Sequence, residues 1–279
     1  MKKNKAFASL LLAIALLAPT VALTACDNED EPSDSPTVEA PVSPPENENL
    51  GNDTDNEQTD APVVLPTVQK ADYIRCTGNS VNLRAGAGTS YTVAGTANKG
   101  EIYAVVEKTG AWYKTYYRGK TVYLSASYAA VLSLDKSEDT QVENVLNEGY
   151  KLLGVPYVYG AVRLHDGKGK MLGGFTAQKF DCSSLVQYVF YKGAGKILQV
   201  NTRTQVTQGA YVPKSQLQRG DCIYFTNESR QHLSGVERVG HVAIYLGDNY
   251  ILHTASDYAR IEKMTASRWN FYIEARRFI

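Results

Sequence analysis

The chain has 279 residues, 29 basic and 29 acidic side chains, a formal charge of zero and 43% hydrophobic residues. This is apolar material for one or two globular domains, and it excludes a collagen-like, coiled-coil or polytopic membrane protein as well as a disulfide-rich miniprotein. The zero is an average over unlike parts: residues 27–60 carry 12 acids and no Lys or Arg, while 61–279, with the three lysines of 1–26 also set aside, hold 29 − 3 = 26 basic and 29 − 12 = 17 acidic residues, a net of +9.

Lys2, Lys3 and Lys5 precede an apolar run from Ala6 to Leu23, followed by Leu23-Thr-Ala-Cys26. A basic start, an apolar core and small residues before a cut site make an export signal. About 18 apolar residues just suffice to span a bilayer, but Pro19, Thr20 and Thr24 weaken a membrane-span reading. Leu-x-Ala-Cys resembles the bacterial lipobox, which implies cleavage after residue 25 and acylation of Cys26. An ordinary secretory signal with an incidental Cys is the alternative. Several acyl chains, each buried methylene contributing about 0.8 kcal/mol, hold a protein durably on a membrane. The expected location is therefore extracytoplasmic, lipid-anchored to a bacterial membrane through Cys26.

Residues 26–70 read as a linker of Asp, Glu, Asn, Pro, Thr and Ser, with seven of the chain's ten prolines between Pro32 and Pro66. Such a composition buries too little to offset the entropy of ordering, so a tether is expected. Cys76, Cys182 and Cys222 remain in the rest of the chain. One disulfide with one free thiol and three free thiols are both compatible with that odd number. No C-x-x-C pair supports a structural zinc site.

From 71 to 133 the chain turns to short β-type runs: Val81-Asn-Leu-Arg84, Ile102-Tyr-Ala-Val-Val106, Trp112-Tyr-Lys-Thr-Tyr-Tyr117 and Thr121-Val-Tyr-Leu124, punctuated by glycines. Four or five strands in about 60 residues predict a small barrel. Ser80-Val-Asn-Leu-Arg-Ala-Gly-Ala-Gly-Thr-Ser-Tyr91, Lys99-Gly100, Gly110-Ala-Trp-Tyr-Lys114 and Gly119-Lys-Thr-Val-Tyr-Leu-Ser125 resemble the bacterial SH3-type domain. That resemblance implies binding of cell-wall peptides or positioning of a neighbouring hydrolase; Trp112 and the tyrosines serve equally as barrel core.

A second domain is expected over 134–279. It opens with a helix over Glu138–Leu153, whose Val142, Val145, Leu146, Gly149, Leu152 and Leu153 recur at three- and four-residue spacing, stopped by Gly154. In Phe180-Asp-Cys-Ser-Ser-Leu-Val-Gln-Tyr-Val-Phe190, Leu185, Val186, Val189 and Phe190 form one helical face and Asp181 stands at the N-cap. Cys182 then occupies the first turn, where free N–H groups and the helix dipole favour a thiolate. Gly240-His-Val-Ala-Ile-Tyr-Leu-Gly247 and Asn249-Tyr-Ile-Leu-His-Thr-Ala255 read as a hairpin, with His241 and His253 facing one another on adjacent antiparallel strands. A helix packed on that sheet brings Cys182 to His241, a nucleophile–base–orienter arrangement.

Gly154-Val-Pro-Tyr-Val-Tyr-Gly160, Phe180-Asp-Cys-Ser-Ser-Leu-Val186, Arg203…Gln208, Leu217-Gln-Arg-Gly-Asp221, Gly240-His-Val-Ala-Ile-Tyr245 and Ile251-Leu-His-Thr-Ala255 together resemble the NlpC-type cysteine peptidases of bacterial cell walls. The resemblance implies an α+β, papain-like fold preceded by the all-β SH3-type barrel. It implies Cys182 as nucleophile, His241 as base and His253 as the orienting residue, with no cofactor and no metal. It sets Tyr157 beside the nucleophile as an oxyanion donor, and Asp181 and Ser183 on the substrate side of the cleft. The implied substrate is the peptidoglycan stem peptide, cut between D-glutamate and the following diamino acid; nucleic acid is not an expected partner. A Cys/His acyltransferase or amidase, and a non-catalytic wall-binding lipoprotein, are the competing functions. Two departures stand out. Ala161–Lys179 is a long connection, expected at the cleft rim, and Arg203-Thr-Gln205 replaces an Arg-Asp-Ser that holds a free stem-peptide amine in close relatives. His165 and His232 read as loop residues, and Cys76 and Cys222 as buried filler. A folded part of +9 suits an anionic wall.

Overall fold

Between residues 70 and 135 the computed structural model, which describes residues 67–279, contains eight short strands: β1 (Lys70–Cys76), β2 (Val81–Arg84), β3 (Val93–Ala97), β4 (Ile102–Ala104), β5 (Glu107–Thr109), β6 (Trp112–Tyr117), β7 (Lys120–Ser125) and β8 (Ala129–Asp135). The export signal, Cys26 and nearly all of the expected linker lie outside the described residues. The four predicted strands are present, and β1, β3, β5 and β8 add to them. In β7, Val122 and Leu124 point inward while their neighbours are at least partly exposed, the period-two pattern of a half-buried strand. Arg118 (φ 51°) and Gly119 (φ 76°) join β6 to β7 with Tyr117 paired to Lys120. Two consecutive positive-φ residues are what a two-residue hairpin turn requires.

The next elements are α1 (Thr140–Lys151), α2 (Cys182–Ala194), α3 (Thr202–Gln205), β9 (Ala210–Val212), β10 (Cys222–Phe225), β11 (His241–Gly247), β12 (Tyr250–Ala255), β13 (Tyr258–Lys263), α4 (Ala266–Asn270) and β14 (Tyr272–Arg277). Helix α1 starts where Asp139 accepts from the Gln141 N–H at 2.7 Å and buries Val142, Val145, Leu146, Gly149 and Tyr150. It packs on α2 so closely that a Cβ on Gly193 would come within 2.5 Å of the Val145 backbone. α2 ends at Gly195 in the left-handed region (φ 64°), the usual stop for a helix.

The strands form two sheets, a five-stranded one in the order β3-β2-β7-β6-β5 and a nine-stranded one in the order β8-β1-β4-β13-β12-β11-β10-β14-β9. The second sheet crosses the expected domain boundary at 133/134: β4 meets β13 through the pair Ile102–Ile261. The core crosses it as well, running from Tyr73 and Leu83 to Leu185 and Leu252 without a break. Polar groups seal the junction. The hydroxyls of Tyr73 and Tyr150 lie 2.6 Å apart, and Arg219, held by Glu143, donates to Tyr150 at 2.9 Å. The Arg75 guanidinium donates to Tyr250 at 2.8 Å, and Tyr258 donates to Glu101 at 2.6 Å. The expected boundary thus lies inside one packed unit, where the strands at this edge share hydrogen bonds and apolar surface. Cys76 and Cys222 are both buried and free, as is Cys182.

Candidate active site

α2 begins with a reciprocal cap. The Asp181 carboxylate accepts from the Ser184 N–H at 2.8 Å, and the Ser184 hydroxyl accepts from the Asp181 N–H at 2.9 Å. Such a capping box defines the first turn, and Cys182 is its first helical residue. The backbone N–H groups of Val242 and Ser183 are near enough to the Cys182 sulfur to favour its ionised form. Val242 follows His241 in β11, so the sulfur lies against the start of that strand. The segment before the helix is tied down by a bridge between Tyr157 and Phe180, in which Val158 N donates to Phe180 O at 2.9 Å. These elements surround a cavity of about 380 Å³ whose walls include Tyr157, Cys182, His241 and Arg268.

β11 and β12 are joined by Asp248 and Asn249, both at positive φ (47° and 64°), the two-residue hairpin expected from the sequence. Ile244 pairs with Leu252 and Tyr245 with Ile251, a register that makes His241 and His253 diagonal neighbours on one face. His241 Nε2 and His253 Nδ1 are 2.9 Å apart, with the rings nearly perpendicular. Behind them stands a residue that motif reading did not find. Glu262 of β13 places Oε1 3.3 Å from His253 Nε2, and the same carboxylate pairs with Arg268 of α4. A carboxylate beside Nε2 favours the proton there, which leaves His253 Nδ1 as acceptor and makes His241 Nε2 the donor. The other nitrogen of His241, Nδ1, is then unprotonated and able to act as a base.

Burial pushes the Cys182 thiol up to about 12, and the Asp181 charge adds to the rise; the Val242 and Ser183 N–H groups and Arg163 oppose it. Burial likewise holds His241 well below its ordinary value, helped by His253 and Arg268. His253 is lowered by burial, against the pull of Glu262. Burial pushes the Glu262 carboxyl up, but His253, Arg268 and Arg260 more than offset this and keep it at about 2. Both shifts favour the neutral thiol and the neutral imidazole over the thiolate–imidazolium pair. This direction runs against the thiolate that a helix start favours, because α2 is buried at this end and its cap is itself an anion.

Tyr157 is half-buried and shares the cavity with Cys182, as expected; burial and then the nearby Cys182 and Asp181 raise its hydroxyl above the ordinary value. Asp181 and Ser183 depart from expectation. They are 4% and 3% exposed and do not line the cavity. Besides Ser184, Asp181 accepts from the Ser183 hydroxyl at 3.0 Å, from Gly160 N at 3.2 Å and from Arg163 at 2.8 Å. Arg163 also donates to the carbonyls of Val200 and Ala161. The physical reason is local: a buried carboxylate needs compensation, and the 161–179 connection supplies a guanidinium. None of that connection lines the cavity; Phe175 instead stacks on Tyr188 and Arg163 grips the start of α2. His165, within it, is buried with Nδ1 accepting from Gly167 N, whereas His232 is exposed. Arg203 reaches Glu237 at 3.6 Å, and buried Gln205 donates to the Ser183 carbonyl at 2.9 Å.

Comparison with known proteins agrees with this architecture. Residues 154–277 match the NlpC/P60 family and residues 79–130 the bacterial SH3 domain. The gamma-DL-glutamyl hydrolase of Bacillus subtilis is 29% identical over 180 residues, 64% of this chain and 35% of that protein. The peptidoglycan endopeptidase RipA of Mycolicibacterium smegmatis is 33% identical over 111 residues, 40% of this chain and 20% of that protein. The gamma-D-glutamyl-L-lysine dipeptidyl-peptidase of Bacillus cereus is 28% identical over 140 residues, 49% of this chain and 36% of that protein. The chain thus spans about a third or less of the length of these relatives.

Proposed function

We propose that this chain, which carries an NlpC/P60 domain behind a bacterial SH3 domain, is a peptidoglycan stem-peptide hydrolase: a cysteine endopeptidase cutting the amide between D-glutamate and the following diamino acid. The observation that carries the reading is the convergence of Cys182, at the start of α2, with His241 in one cavity, His241 being bonded to His253 at 2.9 Å. The names of the similar proteins, two of them glutamyl-bond hydrolases and one a peptidoglycan endopeptidase, support the substrate class.

In this reading the proton of the Cys182 thiol passes to His241 Nδ1 as the sulfur attacks the amide carbonyl. Because burial favours the neutral form of both groups, transfer in this reading accompanies attack rather than preceding it. His253 accepts from His241 Nε2 and holds the ring's orientation, and Glu262 stabilises the positive charge that the histidine pair acquires. The Cys182 N–H and the Tyr157 hydroxyl are the donors for the oxyanion. The protonated His241 then gives its proton to the leaving amine, and water releases the acyl group. Acylation at Cys26 would hold the enzyme outside the cytoplasm on a membrane.

The test is digestion of intact stem peptides by the full chain, with products identified by mass spectrometry. Cleavage after D-glutamate that disappears in Cys182→Ala is expected. Transfer of an acyl group to another acceptor would replace hydrolase with acyltransferase, and binding without turnover would sink the enzymatic reading. Incorporation of a palmitate analogue, lost in Cys26→Ser, tests the anchor.

A further inference from the structure

The connection from Ala161 to Lys179 lies outside the cavity, yet its first half is a well-built hairpin. Asp166 N donates to the Lys170 carbonyl at 3.0 Å, Leu172 N donates to the Leu164 carbonyl at 3.0 Å, and His165 pairs with Met171. The Asp166 carboxylate, the only acid of the connection, accepts from the N–H groups of Lys168 and Lys170 at 2.8 and 3.1 Å. The inner side is fixed to the protein: Gln187 of α2 donates to the His165 carbonyl at 3.2 Å, and Gln199 donates to the Gly167 carbonyl at 3.4 Å. The outer side is apolar. Val162, Met171, Leu172 and nearby Ile197 keep 37–47% of their surface exposed. A Cβ on Gly169 would meet Ile197 Cδ1 at 3.1 Å, so the hairpin tip and Ile197 are neighbours. Lys168, Lys170 and Lys196, which flank these side chains in sequence, are exposed and enter no ion pair among the described residues.

We propose that this hairpin, together with Ile197, is a docking surface for an anionic lipid bilayer. Three features match that partner. Exposed aliphatic side chains settle at the boundary of headgroups and acyl chains, about 5–10 Å deep. Lysines beside them lay their stems along apolar surface and keep their ammonium groups at the level of the lipid phosphates. The hairpin's backbone bonds listed above are made within the protein, so its apolar tips enter without stranding those groups. A sugar polymer offers hydroxyls, which four aliphatic side chains cannot hydrogen-bond. The one acid is held by its own backbone, so the surface presents positive charge to the membrane. The contact goes beyond the hydrolase reading and does not depend on acylation at Cys26: acylation attaches a chain, whereas this surface orients it. Because Arg163 at the hairpin's base binds Asp181, the residue before Cys182, seating the hairpin holds the nucleophile's end of α2 near the bilayer.

The test places an indole in the hairpin of the full chain, by Leu172→Trp and separately by Met171→Trp. Both side chains are already partly exposed, and agreement between the two variants excludes a local folding defect. Each is mixed with vesicles of phosphatidylglycerol and phosphatidylcholine, or of phosphatidylcholine alone, with the phosphatidylcholine acyl chains brominated or not. The emission of Trp112 and Trp269 is subtracted with the unsubstituted chain. On the anionic vesicles, bromination should quench the introduced indole about twofold or more, as expected for a side chain at acyl depth. Phosphatidylcholine alone should give little quenching. Lys168→Glu, Lys170→Glu and Lys196→Glu combined should restore the emission, and raised salt should restore it in part because the attraction is screened. An indole equally bright on brominated and plain anionic vesicles overturns the assignment, as does quenching that ignores both charge reversal and salt. Equal quenching on phosphatidylcholine alone overturns it too. A blue shift on isolated peptidoglycan with no quenching on vesicles would give the surface to the wall instead. The readout needs no turnover, so it stands apart from the success or failure of the hydrolase reading.

Discussion

Asp181–Arg163 and Glu262–Arg268 are the same chemical pair set against opposite members of the site, one beside Cys182 and the other behind His253. Their surroundings give them different work. Asp181 is nearly sealed, and its oxygens are taken up by Ser184, Ser183, Gly160 and Arg163. Glu262 is only partly buried, and Oε1 faces both an imidazole nitrogen and a guanidinium. A carboxylate saturated by structural donors maintains the shape of a helix start; one shared with an imidazole sets where a proton sits. Charge near a reactive residue is thus no index of its role, whereas the number of structural donors already spent on it is.

Breaking the first pair should cost stability. Asp181→Ala removes the N-cap and strands Arg163, whose side chain is only 19% exposed. Leaving one partner of a buried pair costs about 3–5 kcal/mol when both are sealed, and losing a cap about 1 kcal/mol. With Arg163 partly solvated, a loss of about 2–3 kcal/mol is expected in urea unfolding of the full chain, discounted from those magnitudes. An unchanged midpoint would remove the distinction between the pairs. Breaking the second should cost chemistry instead. Glu262→Gln keeps the size, removes the charge that accompanies the histidine pair, and should lower kcat/KM about tenfold, which is about 1.4 kcal/mol of barrier. Stability should move by less than about 1 kcal/mol, as for partly exposed pairs. A variant that unfolds early yet cuts normally would reverse the assignment.

The difference between the pairs also marks what could be read in advance. The His241–His253 face was legible because the Asp248-Asn249 turn and the alternation on either side define a register locally. The cap at Asp181 was legible for the same reason: its partner Ser184 is three residues away. Arg163, Glu262 and Arg268 were not, because each acts across the fold. Arg163 reaches Asp181 from a connection with no periodic pattern. Glu262 lies on β13, where Tyr-Ala-Arg-Ile-Glu-Lys alternates like any half-buried strand, and only pairing of His253 with Arg260 and Ile251 with Glu262 brings it alongside His253. The shared core has the same origin. β1 and β8 contain the apolar residues of a barrel strand, and nothing in them announces that β4 will continue into β13.

The smallest effect expected is also the one that most directly probes the balance around the thiol. Cys182 faces Asp181 on its own helix, Arg163 from the 161–179 connection, Tyr157 from the segment before it, Tyr224 on β10, His241 on β11 and Arg268 on α4. With its ionisation raised to about 12 by burial and then Asp181, and with His241 lowered by burial, the thiolate is the minor species at neutral pH. Iodoacetamide reacts with thiolate, so below that value the alkylation rate at Cys182 should climb about tenfold per pH unit from 7 to 9 without levelling. A plateau below pH 7 would mean a resting thiolate–imidazolium pair and would break the neutral-pair picture. Arg163 opposes the rise through its charge on Asp181 and Cys182, so Arg163→Met should slow alkylation several-fold at each pH and Arg163→Lys should recover most of it. Glu262→Gln, acting two residues further along the chain of contacts, should leave this profile in place while lowering turnover. If both substitutions moved the thiol profile equally, the two carboxylate–arginine pairs would form one electrostatic unit rather than a structural pair and a proton-positioning pair.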